Sequence, residues 1–292
     1  MTRRILAMTF YTEPVTDLIR RRKSWRSYRR EYITDDLKGQ IQDFSASMDA
    51  PPFGSTVRFR LVDSSAPEKT RTPGTYGVIR GARHTLVGIV RPSPSVWEDF
   101  GYSFESVILF CTGLGLGTCW MGGTFSRDYY GRAVDLAPDE IIPAVSPVGY
   151  IAGKRSILDS LLVMGAGSRN RKPFTELFFR GDFSTSLDPA GAGAYGEALE
   201  MVRLAPSASN RQPWRVVITE EGVHFFLSRT PGYRKLFSRV DLQCIDMGIA
   251  MFHFASAASC LGISGGWRKW EQPPVIRMPE PLEYRVSWVP QS

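Results

Sequence analysis

The sequence predicts an α+β fold made of two related halves, and three observations carry that expectation. Runs with apolar residues at helical spacing are interrupted by short β-rich runs that sit next to one another as hairpin-like pairs. The chain has 292 residues, 43% of them hydrophobic, enough for one large or two ordinary domains with a sizeable core. It also repeats itself. LKGQIQDFSASMDAPPFGSTVRFRLV (37–62) lines up with YGEALEMVRLAPSASNRQPWRVVI (195–218), and ILFCTGLGLGTCWMGG (108–123) with FHFASAASCLGISGGW (252–267). A first half over 14–165 and a second over 166–292 are therefore expected.

Residues 14–22 and 35–48 read as helices, the second with Leu37, Ile41, Phe44 and Met48 at helical spacing. Strands over 57–63 and 84–91 follow. A helix from Tyr102 to Leu114 is stopped by the glycines after it. Residues 141–153 read as a strand with proline at its edges, and 156–170 as a crossing segment. In the second half a helix over 194–204, strands over 215–220 and 223–228, a helix over 241–262 and a strand over 284–289 complete the order. Gly and Pro clusters at 64–77, 188–193 and 271–281 mark loops. The longest apolar stretch, 247–263, carries His253 and several serines and is preceded by Asp241 and Asp246. It is short for a membrane span, so a buried core helix and no membrane contact are expected.

Cys111, Cys119, Cys244 and Cys260 fall in or beside apolar runs without C-x-x-C or metal-ligand spacing. They read as buried reduced thiols, and no metal site is expected. No charged leader with an apolar core and cleavage site opens the chain, which points to the cytoplasm. His84 and His224 lie in strand patterns and His253 in an apolar helix. Structural roles are expected for all three, and no Ser-His-Asp order is legible. A net charge of +7 and a pI near 9.3 admit a nucleic-acid binder, since Trp25 and Tyr28 interleave the basic residues at 20–30. The remaining charge is scattered and forms no recognised module, so no nucleic-acid partner is expected.

Two distant segments carry chemistry. In RRKSWRSY (21–28), Arg22, Ser24 and Arg26 alternate, so an extended backbone puts two guanidiniums and a hydroxyl on one side, a geometry suited to phosphate. A solvated basic run is the plain alternative. In APSASNRQPW (205–214), turn formers whose side chains bond locally or to a ligand follow a helix-like run and precede a strand-like one. An ordinary helix-to-strand connector has the same composition. The glycines of GLGLGTCWMGG (113–123) suit a helix C-cap or a close backbone approach to a ligand.

The R-x-S-x-R and P-S-x-x-N-x-Q-P-W segments resemble the two FMN-holding signatures of the nitroreductase-like flavoprotein family, and GLGLGTCWMGG resembles its helix end and glycine turn. The resemblance covers nearly the whole chain from about Pro14 and points to a compact subgroup of two fused halves. The family's loop ordinarily follows soon after the arginine motif; here DAPPFGSTVRF (49–59) stands there, without the Asn and Gln. Family members are homodimers with FMN at the subunit interface. The resemblance implies a nitroreductase-like fold, internally duplicated, in which one chain mimics that homodimer as a monomer with pseudo-dimeric halves and one competent FMN site. The pseudo-symmetric site is expected to be degenerate, because PFTELFFRGD (173–182) has no arginine motif.

By the same resemblance the phosphate falls to Arg22, Ser24 and Arg26 with Arg169 or Arg171, and the ring to Pro206, Ser207, Ala208 and Asn210. Met121, Gly122 and Gly123 are placed at its reactive edge, where a backbone N–H meets the N5 that receives hydride. Ala208 stands where a second serine is frequent, and Gly122 where many members carry glutamate. The implied reaction is ping-pong: NAD(P)H passes hydride to FMN, and a nitroaromatic or quinone-type acceptor takes it, with no catalytic side chain required. The alternative is a flavin-binding or storage protein, or a flavoenzyme of other chemistry. Tyr76, Tyr233 and Phe237 are candidate lids or solvent-side packing.

Overall fold

The computed structural model describes residues 11–64, 71–153, 170–233, 239–272, 274–277 and 282–291. The chain divides into two compact units, residues 1–165 and 166–292.

In the first unit, α1 (Val15–Arg21) buries Val15, Leu18 and Ile19. The helix α2 (Asp35–Ser47) starts at Thr34, whose hydroxyl accepts from the Leu37 N–H, and buries Ile41 and Phe44. The strands β1 (Val57–Asp63), β2 (His84–Val90), β3 (Gly117–Thr118) and β4 (Val145–Gly149) form an antiparallel sheet in the order β1-β2-β4-β3. β2 is buried at every position, so both of its faces are covered. The long helix α3 (Val96–Gly113) lies between β2 and β3 in sequence, and α4 (Arg127–Ala133) between β3 and β4. α3 packs so close to the sheet that a Cβ on Gly88 would stand 2.4 Å from the Phe100 ring, so any side chain there would have to displace that buried ring.

The second unit holds α5 (Phe174–Leu177), β5 (Phe178–Arg180), α6 (Gly196–Leu204), β6 (Trp214–Ile218), β7 (Val223–Ser228), α7 (Leu242–Cys260), β8 (Gly265–Arg268) and β9 (Leu282–Pro290). Its sheet runs β5-β6-β7-β9-β8, with β5 parallel to β6 and the other pairs antiparallel. The core between α7 and the sheet is aromatic. Phe254 of α7 meets Trp267 and Trp288 at centroid distances of 5.9 and 5.6 Å, and the two indoles meet at 5.2 Å. Such contacts bury large apolar area in fixed geometry.

The order β1-β2-β4-β3 recurs as β6-β7-β9-β8, with a long helix between the second and third strand in sequence each time. The aligned segments 37–62 and 195–218 span α2–β1 and α6–β6. The pair 108–123 and 252–267 spans the ends of α3 and α7 and the strand after each.

Several boundaries differ from the sequence expectation. α3 begins at Val96, not Tyr102: Ser95 takes a left-handed φ of 62°, and the first turn carries Glu98 and Asp99, whose polarity hides the apolar period. The strand expected over 141–153 is regular only over Val145–Gly149, with isolated bridges at Ile141 and Ile151. The strand expected to Glu220 ends at Ile218, where Thr219 and Gly222 close a turn. Elements as short as β3, β5, β8, α4 and α5 span too few residues to show a period. Cys111, Cys119 and Cys244 are buried but Cys260 is exposed, because the last turn of α7 emerges from the core. Burial pushes the Cys111 thiol up to about 12. The segment 156–170 lies outside the described residues except for Asn170.

Candidate functional site

In the first unit the chain leaves α1 in an extended path. The Trp25 N–H donates to the Thr118 carbonyl at 2.8 Å, the Arg80 N–H to Arg26 at 2.9 Å and the Tyr28 N–H to Arg80 at 2.9 Å. Residues two apart in such a path share a side, and Ser24 bridges to Thr118 beside it. Ser24 and Arg26 are half-buried; Arg22 is 9% exposed. Arg22 Nε lies 3.7 Å from Glu105 Oε1, on a carboxylate whose side chain is wholly buried. Arg22 Nε and Nη1 are themselves buried and meet no hydrogen-bond partner among the described residues. Glu105 offsets the charge on the Nε side, while a buried Nη1 without a hydrogen bond is costly and a second anion would match it. The other oxygen of Glu105 accepts from the Trp120 indole at 2.6 Å, so the tryptophan of GLGLGTCW sets the carboxylate that faces Arg22.

Met121, buried, is tied to Val145 by a reciprocal pair of backbone bonds at 2.9 and 3.0 Å. The chain then bends through Gly122, half-buried, and Gly123, exposed. Arg127 Nη2 donates to the Gly122 carbonyl at 3.0 Å and Nε to the Ile142 carbonyl at 3.3 Å. Its guanidinium lies 4.7 Å from the centroid of the Phe125 ring.

In the second unit α6 ends at Leu204, and the loop that follows is built by side chains. Pro206 is buried. Ser207 Oγ accepts from the Gln212 N–H at 2.9 Å, and residues Ala208–Asn210 form one tight turn. Three non-glycine residues here hold positive φ: Ser209 at 50°, Asn210 at 52° and Gln212 at 48°. Each such residue costs roughly 1–3 kcal/mol and persists only where its surroundings over-determine it.

The surroundings are present. Arg171 donates to Asn210 Oδ1 and, at 2.9 Å, to the Leu204 carbonyl at the end of α6. Asn210 Nδ2 donates to the Asn170 carbonyl at 2.8 Å, and Gln212 Oε1 accepts from the Lys172 N–H at 2.8 Å. Asp246 of α7 accepts the Ala208 N–H at 2.9 Å, and the Tyr233 hydroxyl lies 3.3 Å from Ser209 Oγ. Burial drives the Asp246 carboxyl well above the usual range, with the charge of Asp241 adding to it; Oδ2 is buried with no partner among the described residues. Burial lowers Lys172, and the nearby Arg215 and Arg211 lower it further.

The structure thus joins Arg171 to Asn210, two residues the sequence picked out separately. Arg169 and Phe237 lie outside the described residues, and Tyr76 is exposed. Sequence reasoning missed Glu105, Arg127 and the loop-gripping role of Asp246. An acidic residue inside an apolar helix run was the available signal for Glu105 and Asp246; Arg127 had none. The histidines make internal contacts: His253 Nδ1 with the Met201 carbonyl, His84 with Asp63 and the Ile33 N–H, and His224 with Thr219 and Ser287. Among the described residues no three His, Cys, Asp or Glu side chains are grouped to hold a metal, and no helix is long and apolar enough to cross a membrane.

A family model described as "Putative TM nitroreductase" matches residues 14–258. A crystal structure of a putative nitroreductase from Thermotoga maritima superimposes with a TM-score of 0.60 at 19% identity, over 95% of this chain and 94% of that one, a likeness of fold. Solved nitroreductases with bound FMN from Bacteroides fragilis (TM-score 0.40, 20% identity, 50% of this chain and 92% of that one) and Desulfitobacterium hafniense (0.41, 15%, 49% and 93%) also match. No curated protein matches the chain.

Proposed function

Because the chain belongs to the family described as putative TM nitroreductases, we propose that it is an FMN-dependent oxidoreductase that carries hydride from NAD(P)H to a nitroaromatic or quinone-type acceptor. The observation that carries this reading is Arg22: Nε stands 3.7 Å from the Glu105 carboxylate, and the buried Nη1 meets no hydrogen-bond partner among the described residues, which leaves a charged donor that a phosphate would match. In this reading Arg22, Ser24 and Arg26 hold the FMN phosphate, with Arg171 adding charge. Pro206, Ser207, Ala208 and Asn210 hold the ring, and Met121, Gly122 and Gly123 line its reactive edge. Bound FMN supplies the two-electron relay between nicotinamide and acceptor.

The protein's share is positional. Glu105 and Trp120 orient Arg22, and Arg171, Asn170 and Asp246 keep the strained loop in one shape, so little ordering is left to binding. The shared strand order of the two units supports an internal duplication, and with it a monomer carrying halves over 14–165 and 166–292.

The test is the purified protein itself. Released FMN, a flavin band that bleaches with NADH or NADPH, and recovery of that band with a nitroaromatic are the expected results. Flavin that is bound but inert to both nicotinamides selects the storage or other-flavoenzyme reading, and no flavin uptake refutes the proposal. Gel filtration at one chain's mass is expected; a dimer overturns the pseudo-dimer.

A further inference from the structure

We propose that Arg127 is a positioning residue that locks the Gly122–Gly123 peptide in one orientation, with its carbonyl turned toward the protein and the Gly123 N–H turned away. The inference rests on the FMN reading above. Glycine pairs ordinarily let a peptide plane rotate at little cost. Here the Gly122 carbonyl accepts from Arg127 Nη2 at 3.0 Å. The guanidinium is itself fixed at two further points, the Ile142 carbonyl at 3.3 Å from Nε and the face of the buried Phe125 ring at 4.7 Å. In a planar trans peptide the C=O and N–H point in opposite directions. A carbonyl held on the Arg127 side therefore puts the Gly123 N–H on the other, and Gly123 is exposed.

This has a consequence for any ring edge placed against that N–H. A ring nitrogen that accepts a hydrogen bond in the oxidised ring becomes an N–H donor once reduced. A freely rotating peptide could follow the change by offering its carbonyl instead; a clamped one offers the donor only. The clamp thus favours the oxidised ring over the reduced one, and its removal should raise the midpoint potential of bound flavin.

The experiment measures that potential in the FMN-loaded wild type, in Arg127→Met and in Arg127→Lys, which keeps a donor for the Gly122 carbonyl. A tenfold gain in relative affinity for the reduced cofactor in Arg127→Met is expected, which for a two-electron couple is about 30 mV more positive, with Arg127→Lys in between. An unchanged or more negative potential in a loaded Arg127→Met protein overturns the clamp while leaving the FMN reading intact. Wild type that takes up no FMN overturns both.

If Arg127→Met does not fold, hydrogen exchange in the wild type still decides. The Gly123 amide should exchange quickly in the flavin-free protein and slow at least tenfold on loading. A Gly123 amide already protected without FMN refutes the outward N–H, and one left unprotected on loading refutes its contact with the ring.

Discussion

Replacing Arg22 by methionine separates what the arginine does for the fold from what it does for a ligand. Two unit charges 3.7 Å apart attract by about 4.5 kcal/mol at an effective permittivity near 20. Removing one partner of a buried pair costs roughly 3–5 kcal/mol, because the other charge stays buried without compensation. Flavin-free Arg22→Met should therefore lose stability of that order in urea denaturation. Glu105→Gln removes the second charge while its amide oxygen can still accept from the Trp120 indole, now 2.6 Å from the carboxylate. The double variant Arg22→Met/Glu105→Gln should regain most of the lost stability, giving a coupling of about 3 kcal/mol in the cycle. Its FMN retention, read from flavin released per mole of folded protein, should stay lost, whereas Glu105→Gln alone should keep FMN. An Arg22→Met protein that loses under about 1 kcal/mol and still carries flavin would refute both the ion pair and the phosphate assignment.

Three further outcomes concern contacts within the second unit. His224 is buried between Thr219 and Ser287, and burial lowers it from 6.5 to about 4. Between those values the unfolded chain binds the extra proton, so stability complete above pH 6.5 should fall by roughly 3 kcal/mol as pH drops to about 4. His224→Gln should flatten that slope in denaturation series, and an equal slope in both proteins rejects the assignment. Asp246 is raised instead, so its native state holds a proton that the unfolded state releases above about pH 4; stability from this group is greatest in acid and declines as pH rises. Asp246→Asn, which can still accept from the Ala208 N–H, should gain on wild type with rising pH, and a gap constant from pH 4 to 8 counts against a neutral acid. Ser209→Gly relaxes one left-handed residue: stability should hold or rise by about 1 kcal/mol while FMN dissociates faster, and a loss above 1 kcal/mol means the φ of 50° carries no strain.

Long elements with one buried face were legible in the sequence, and the site was legible only where a motif is contiguous. α2 and β1 were bounded to within a residue, because Thr34 caps the one and the pleat of 57–63 is uninterrupted. The start of α3 was hidden because its first turn buries a carboxylate that bonds to a loop some forty residues upstream: Asp99 accepts from the Phe53 and Ser55 N–H groups at 3.0 and 2.9 Å. No local pattern reports such a partner. The same holds for Glu105, whose function lies in Arg22 and Trp120, and for Arg127, whose target is a backbone carbonyl that has no sequence signature.

The two units build equivalent loops differently. In each, a buried aspartate on the long helix grips the loop between the preceding helix and strand, Asp99 for residues 53–55 and Asp246 for Ala208. Asp99, raised by burial, spends both oxygens on backbone donors. The first loop meets its one left-handed position with a glycine, Gly54 at φ 75°, which costs nothing sterically. The second keeps Ser209, Asn210 and Gln212 in that region and needs Arg171, Asn170 and Lys172 to hold them. Three strained polar residues held together by side chains from outside the loop set the second loop apart from the first.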